Sequence, residues 1–151
     1  MTGFSFRPAT AADLDPLLAL EARCFPRPWP RGAFEQELEL PHAALWLAWE
    51  GEVLAGYIDF WVVPPEISLL NVAVDPDFQR RGLGRAFLGL MEEQGAAAGG
   101  EEVYLEVRRT NLGAQALYES AGYAQTGIRK RYYSDTGEDA ILMGKRLADG
   151  S

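Results

Sequence analysis

Gly82 and Gly84 lie where an apolar, strand-like run gives way to an apolar helical run, and Arg80, Arg81 and Arg85 surround them. A helix start presents about four unpaired backbone amides and a partial positive charge. Phosphate is a natural partner of such a terminus. Glycine puts no side chain between backbone and ligand, and arginine adds charge-assisted hydrogen bonds. The turn is therefore expected to hold a phosphate-bearing ligand, with an ordinary helix cap as the plain alternative. A dinucleotide fingerprint needs a third glycine where Phe87 stands, and no Gly-Lys-Ser/Thr follows as a nucleoside-triphosphate loop requires. Elsewhere the chemistry is sparse. Cys24, the one cysteine, reads as a small packed residue, and His42, the one histidine, as a surface residue in a turn after Pro41. One of each makes a zinc site implausible, and no metal is expected.

Around the turn the elements alternate. Phe4 to Arg7 alternates as a short strand, and Thr10 with Asp13 resembles a helix start. Leu14, Leu17, Leu18 and Ala22 follow at helical spacing, and Phe25-Pro26-Arg27-Pro28-Trp29-Pro30 is expected as a rigid loop, because each proline restricts the residue before it. A short helix is expected over Arg31 to Leu40. Ala44–Trp49 and Val53–Val63 form a hairpin around Glu50-Gly51-Glu52. After Pro64-Pro65, Ile67–Val74 is a third strand. Leu83, Ala86, Phe87, Leu90 and Met91 mark the apolar face of a helix ended by Gly99-Gly100. Val103, Leu105 and Val107 share one face of the next strand, with Tyr104 and Glu106 on the other. Asn111 reads as an N-cap, Ala114, Leu117, Tyr118 and Ala121 as one helix face, and Gly122 as the stop. Two strands, Tyr123–Tyr133 and Ala140–Leu147, close the chain. The expected architecture is α/β (α+β): a central mixed, mostly antiparallel sheet of about six to seven strands with about four helices packed on it. The unit from Ile67 to Val107 is expected as a right-handed parallel crossover, and ligands bind at the carboxyl ends of such strands. Val74 and Glu106 both fall near such ends.

Length and charge narrow the classes. The chain has 151 residues, 48% apolar and 24% charged, with a formal net charge of -8. That size suits a single domain, 1–151, with a core that needs no staples. The acidity disfavours bulk nucleic-acid binding. No apolar run suffices for a membrane span, no signal peptide is seen, and a single cysteine suits a reducing cytoplasm.

In its setting, Gln79-Arg80-Arg81-Gly82-Leu83-Gly84 resembles the pyrophosphate-binding motif of the GNAT superfamily of N-acetyltransferases, and Asn71 to Pro76 is similar to the strand and turn that precede it there. Leu105-Glu106-Val107-Arg108, Asn111 with Ala116 to Ser120, Arg131-Tyr132-Tyr133 and Glu138 to Met143 are similar to the ribosomal-protein-alanine N-acetyltransferase (RimI-type) group within that superfamily. The Phe25-to-Trp29 loop also resembles that group's early loop, with extra residues before the tryptophan.

The resemblance implies acetyl-CoA as cosubstrate, its pyrophosphate on Arg80, Arg81, Gly82, Leu83, Gly84 and Arg85. It implies that the backbone of Val72, Ala73 and Val74 pairs with the pantetheine arm, that an amide near Val74 polarises the thioester carbonyl, and that Asn111 contacts the cofactor. Glu106 is implied as general base, directly or through water, and Tyr118 as general acid. Without the resemblance, Tyr118 reads as a core tyrosine and Glu106 equally well as a solvent-facing residue. Tyr132, Tyr133 and Asp139 are implied near the acceptor. The implied acceptor is the N-terminal amine of a protein, with a ribosomal protein's alanine first and a lysine or small amine as the alternative. A non-catalytic acyl-CoA-binding module is the alternative of another class. The expected protein is cytoplasmic, a monomer or weak dimer, with no nucleic-acid or membrane partner.

Overall fold

The computed structural model describes residues 3–147. Its elements run β1 (Ser5–Pro8), α1 (Leu14–Cys24), α2 (Arg31–Glu39), β2 (Ala43–Glu50), β3 (Val53–Val63), β4 (Glu66–Val74), α3 (Leu83–Ala97), β5 (Glu102–Arg108), α4 (Leu112–Ser120), β6 (Ala124–Arg129) and β7 (Ala140–Arg146). The strands form one seven-stranded sheet in the order β1-β2-β3-β4-β5-β7-β6. β4 and β5 are parallel; β1–β2, β2–β3, β5–β7 and β6–β7 are antiparallel. No helix among the described residues is long and apolar enough to cross a membrane.

The chain divides into two compact units. The first holds the residues up to Trp61 together with Leu70–Met91. Its α1 and α2 cover one sheet face: Leu14, Leu17, Leu20 and Phe34 pack on Leu45, Leu47, Leu54, Tyr57 and Ala73. Phe87 of α3 meets Phe6 on the opposite face. Thr10 does head the first helical segment: its backbone N–H donates to Asp13 Oδ2 at 2.8 Å, and a short 3-10 turn over Ala11–Asp13 leads into α1. Ala22, expected on the apolar face of α1, is exposed, and Glu21 is buried beside it.

The second unit holds Val62–Leu69 and the chain from Glu92 onward. There β5 carries Val103, Leu105 and Val107 inward while Tyr104 and Glu106 face outward, as the alternation predicts. The parallel register begins at Glu66↔Glu102. Tyr123 Oη donates to Glu92 at 2.9 Å, and Lys145 Nζ reaches the other oxygen of that carboxylate at 2.9 Å. The expected strand Tyr123–Tyr133 is shorter in the structure, ending at Arg129. Arg131 takes φ 52°, a left-handed conformation that no strand accommodates, and the chain turns there so that Asp139 can accept the Arg131 amide at 3.0 Å.

Candidate active site

The glycine turn is built by its flanks. Arg80 takes φ 64° and Gly82 φ 78°, so two left-handed residues bend the chain sharply after Gln79. Gly82 adopts this at no steric cost, while Arg80 is strained unless its surroundings hold it. The approach to the turn is fixed by Asp75, which is 7% exposed. Its carboxylate accepts the Asp77 amide at 2.8 Å and a forked pair from Arg23, Nε at 2.8 Å and Nη2 at 3.0 Å. Burial works to raise the Asp75 pKa, but the Arg23 guanidinium and the Asp77 amide outweigh it and hold the carboxyl below its ordinary range. The first α3 bond in the turn runs from Ala86 N to Gly82 O at 3.0 Å. Helix geometry therefore leaves the Leu83 and Gly84 amides without an intrahelical acceptor.

The three arginines differ in their surroundings. Arg81 pairs with Glu50, and its guanidinium lies 4.6 Å from the Phe4 ring centroid and 5.6 Å from that of Phe78. The hydrogen bond from Arg81 lowers the Glu50 pKa. Arg81 therefore ties the turn to the end of β2. Arg80 and Arg85 are exposed at the turn.

β4 leads into this turn. Gly56 of β3 lets it come close: a Cβ on Gly56 would stand 2.5 Å from the Ala73 carbonyl oxygen. Asp75 N donates to Ala55 O at 2.8 Å. The Val72 amide donates to Asn71 Oδ1 at 3.0 Å, so it already has an acceptor within the chain. The Val74 carbonyl accepts Cys24 Sγ at 3.6 Å and Gln79 Nε2 at 3.5 Å. Burial first, then the Asp75 charge, pushes the Cys24 thiol up to about 11. A thiol so rarely ionised at neutral pH is a poor nucleophile.

The other expected residues gather in the second unit. Glu106 is exposed on β5, with Arg129 Nε 3.8 Å from Oε1. The Glu106 carboxylate lies by the Tyr132 hydroxyl, and its interaction with that hydroxyl raises the Tyr132 pKa. For Tyr133 burial is the main cause of a raised pKa and the Glu106 charge the next. Glu106, Tyr132 and Tyr133 thus share one neighbourhood. The segment that carries the tyrosines is anchored by Arg108. Its two terminal nitrogens take Asp135 at 3.0 and 2.9 Å, and its guanidinium stacks 4.1 Å from the centroid of the Tyr133 ring. Glu138 accepts the Thr110 hydroxyl at 2.6 Å. Asp139, expected at the acceptor, accepts the Arg131 amide and lies 3.5 Å from Lys130 Nζ; its carboxylate braces the segment.

Tyr118 lies in α4, 6% exposed, with its ring centroid 6.2 Å from that of Tyr123. Burial pushes its hydroxyl up to about 12, so it holds its proton at neutral pH. Asn111 heads α4 as a true cap, its Oδ1 accepting the Ala114 amide at 3.1 Å, which leaves its amide nitrogen for any further contact. Nothing in the sequence around Arg23, Arg108 or Arg129 points to the distant carboxylates that they face, Asp75, Asp135 and Glu106.

A model of the acetyltransferase (GNAT) family matches residues 14–123. Over 148 residues the chain is 40% identical to the N-alpha-acetyltransferase RimI of Mycobacterium tuberculosis, covering 94% of this chain and 92% of that protein. It is 38% identical over 133 residues to the [ribosomal protein bS18]-alanine N-acetyltransferase of Escherichia coli, covering 87% and 89%. The crystal structure of the ribosomal-protein-S18-alanine N-acetyltransferase from Escherichia coli superimposes with a TM-score of 0.87 at 33% identity, over 96% of this chain and 94% of that one. The chain belongs to the GNAT acetyltransferase family and is an acetyl-CoA-dependent N-acetyltransferase.

Proposed function

We propose that this enzyme acetylates the N-terminal α-amine of a protein, with the N-terminal alanine of a ribosomal protein as its acceptor, in the cytoplasm. The observation that carries the reading is Glu106. It is an outward-facing carboxylate on β5 beside the Tyr132 hydroxyl, in a chain 38% identical to a protein named for that acceptor.

An amine attacks only when neutral. At pH 7 about one α-amine in ten is neutral, against about one lysine amine in 2,500. An α-amine therefore asks less of a carboxylate base. Bound acetyl-CoA supplies an electrophilic thioester carbonyl. The backbone of Ala73 and Val74 lines the thioester arm, with an amide near Val74 as donor to the carbonyl oxygen, and fixed donors of this kind stabilise developing negative charge. The Val72 carbonyl completes the pairing. Leu83 and Gly84 amides, with Arg80 and Arg85, take the pyrophosphate. As the nitrogen–carbon bond forms and the carbon–sulfur bond breaks, Glu106 accepts the amine proton, directly or through water, and Tyr118 donates its proton to the departing thiolate. Tyr132 and Tyr133 border the acceptor amine, Asn111 contacts the cofactor, and Asp139 acts there by holding Arg131.

The test is release of free CoA thiol with peptides that differ in their first residue, each with a free and a blocked N-terminus. Turnover on free N-termini alone, greatest for alanine, is expected. Turnover on blocked peptides through lysine moves the acceptor class, and silence on every peptide overturns the reading.

A further inference from the structure

Glu21 is 1% exposed, yet both its oxygens are engaged. Oε1 accepts the Tyr57 hydroxyl at 2.7 Å, and Oε2 accepts the Trp29 amide at 3.0 Å. The Tyr57 oxygen in turn accepts Asn71 Nδ2 at 2.7 Å, and Asn71 Oδ1 holds the Val72 amide at 3.0 Å. Four hydrogen bonds therefore run from the loop after α1, through α1 and β3, to the stretch of β4 that enters the glycine turn. For stability alone this arrangement is unfavourable: a buried carboxylate bears a large desolvation cost, and a well-packed apolar side chain would serve as well or better. What a carboxyl group adds is direction, because each of its two oxygens takes a separate donor at a fixed geometry.

We infer that Glu21 is a positioning residue that sets the Trp29 loop and the thioester strand β4 in one fixed relation through Tyr57 and Asn71. The inference deepens the proposed function: it rests on the pairing of β4 with the thioester arm given there, and it adds the Phe25–Pro30 loop as a wall of the acceptor site. The consequence for β4 is specific. Asn71 keeps the Val72 amide bonded within the chain, and the Ala73 carbonyl is turned against Gly56 of β3, so the donor to the thioester arm is the amide near Val74. The consequence for the loop is that its backbone is held at Trp29 although three prolines leave it few bonds of its own.

The test uses the full chain and the variants Glu21→Gln and Tyr57→Phe, each alone and combined. Tyr57→Phe keeps the ring and removes the oxygen that links Glu21 to Asn71. Each single change is expected to raise both the acetyl-CoA Kd and the acceptor KM by about tenfold, the scale of one lost bond to a charged group, with kcat changed less than about twofold. The double variant is expected to be no worse than the harsher single, since one chain is cut twice. Leu17→Ala, in the same core, is the control that lowers Tm and leaves both constants alone. Should either buried variant fail to fold, Asn71→Asp exchanges the amide donor to Tyr57 for a carboxyl oxygen at a half-buried position and is expected to raise the acetyl-CoA Kd by itself. Lower Tm with wild-type Kd and KM overturns the inference, as does movement of one constant only or simple additivity. A wild-type chain silent on peptides overturns the acceptor reading alone, because the acetyl-CoA Kd of the variants still decides the role of Glu21.

Discussion

Gly56 offers a sharp test of how β4 is held. A Cβ there would meet the Ala73 carbonyl oxygen at 2.5 Å, Phe87 at 3.1 Å and Leu83 at 3.2 Å. Ala73, Leu83 and Phe87 are buried at 4%, 2% and 0% exposure, so none can retreat into solvent. The 2.5 Å contact involves backbone on both sides, and ordinary contact begins at 3.4 Å. Gly56→Ala must therefore displace β4 at Ala73 by roughly 1 Å, a scale at which misplacement can lower rate by about 100-fold. Overpacking of this kind costs about 1–3 kcal/mol. Urea unfolding reads the stability and CoA-thiol release reads kcat/KM. Gly89→Ala is the matched control: nothing lies within 4 Å of its would-be Cβ on α3, and it is expected to stabilise by about 0.5–1 kcal/mol without touching rate. If Gly56→Ala stays within about 0.5 kcal/mol of wild type and keeps its kcat/KM, β4 is not held by close approach to β3.

Glu106→Gln is expected to lower kcat by about 10²–10⁴-fold with the acetyl-CoA Kd unchanged in calorimetry; a variant that keeps its rate removes Glu106 as the base. Arg108→Ala frees the segment that carries Tyr132 and Tyr133, and the acceptor KM is expected to rise while acetyl-CoA affinity holds; equal loss of both constants refutes the anchoring role. Asp59 is fully buried, and neither oxygen has a hydrogen-bond donor among the described residues. Burial, then the neighbouring Glu37, pushes its carboxyl up to about 9. The folded chain keeps this proton up to about pH 9 while the unfolded chain releases it near pH 4, so stability falls as pH rises through that window. Asp59→Asn is expected to flatten this fall in Tm measured from pH 5 to pH 8.5; an unchanged slope refutes the assignment.

The resemblance that named the family rests on local order. Gln79 to Gly84 are contiguous, and the backbone conformations that such a turn demands are set by residue type: glycine at φ 78° needs no help from elsewhere. Strand and helix periodicity placed β2, β3, β5, α3 and α4 for the same reason, since each buries one face at a fixed spacing. Even the Asn111 cap is a bond within one turn.

What only the tertiary structure decided are the partners far apart in sequence. Arg23 reaches Asp75 across 52 residues, Arg81 turns to Glu50 across 31, and Arg108 braces Asp135 across 27. Nothing in a charged residue's own neighbourhood says which distant opposite charge the fold will bring to it. Glu21 makes the point most sharply. Helical spacing put Ala22 on the apolar face, because a carboxylate normally belongs in water. The fold buried Glu21 instead, because Tyr57 from β3 and the Trp29 amide meet there to replace the water that it loses. Sequence determines what each residue can offer, and the meeting of distant donors and acceptors decides which offers are taken up.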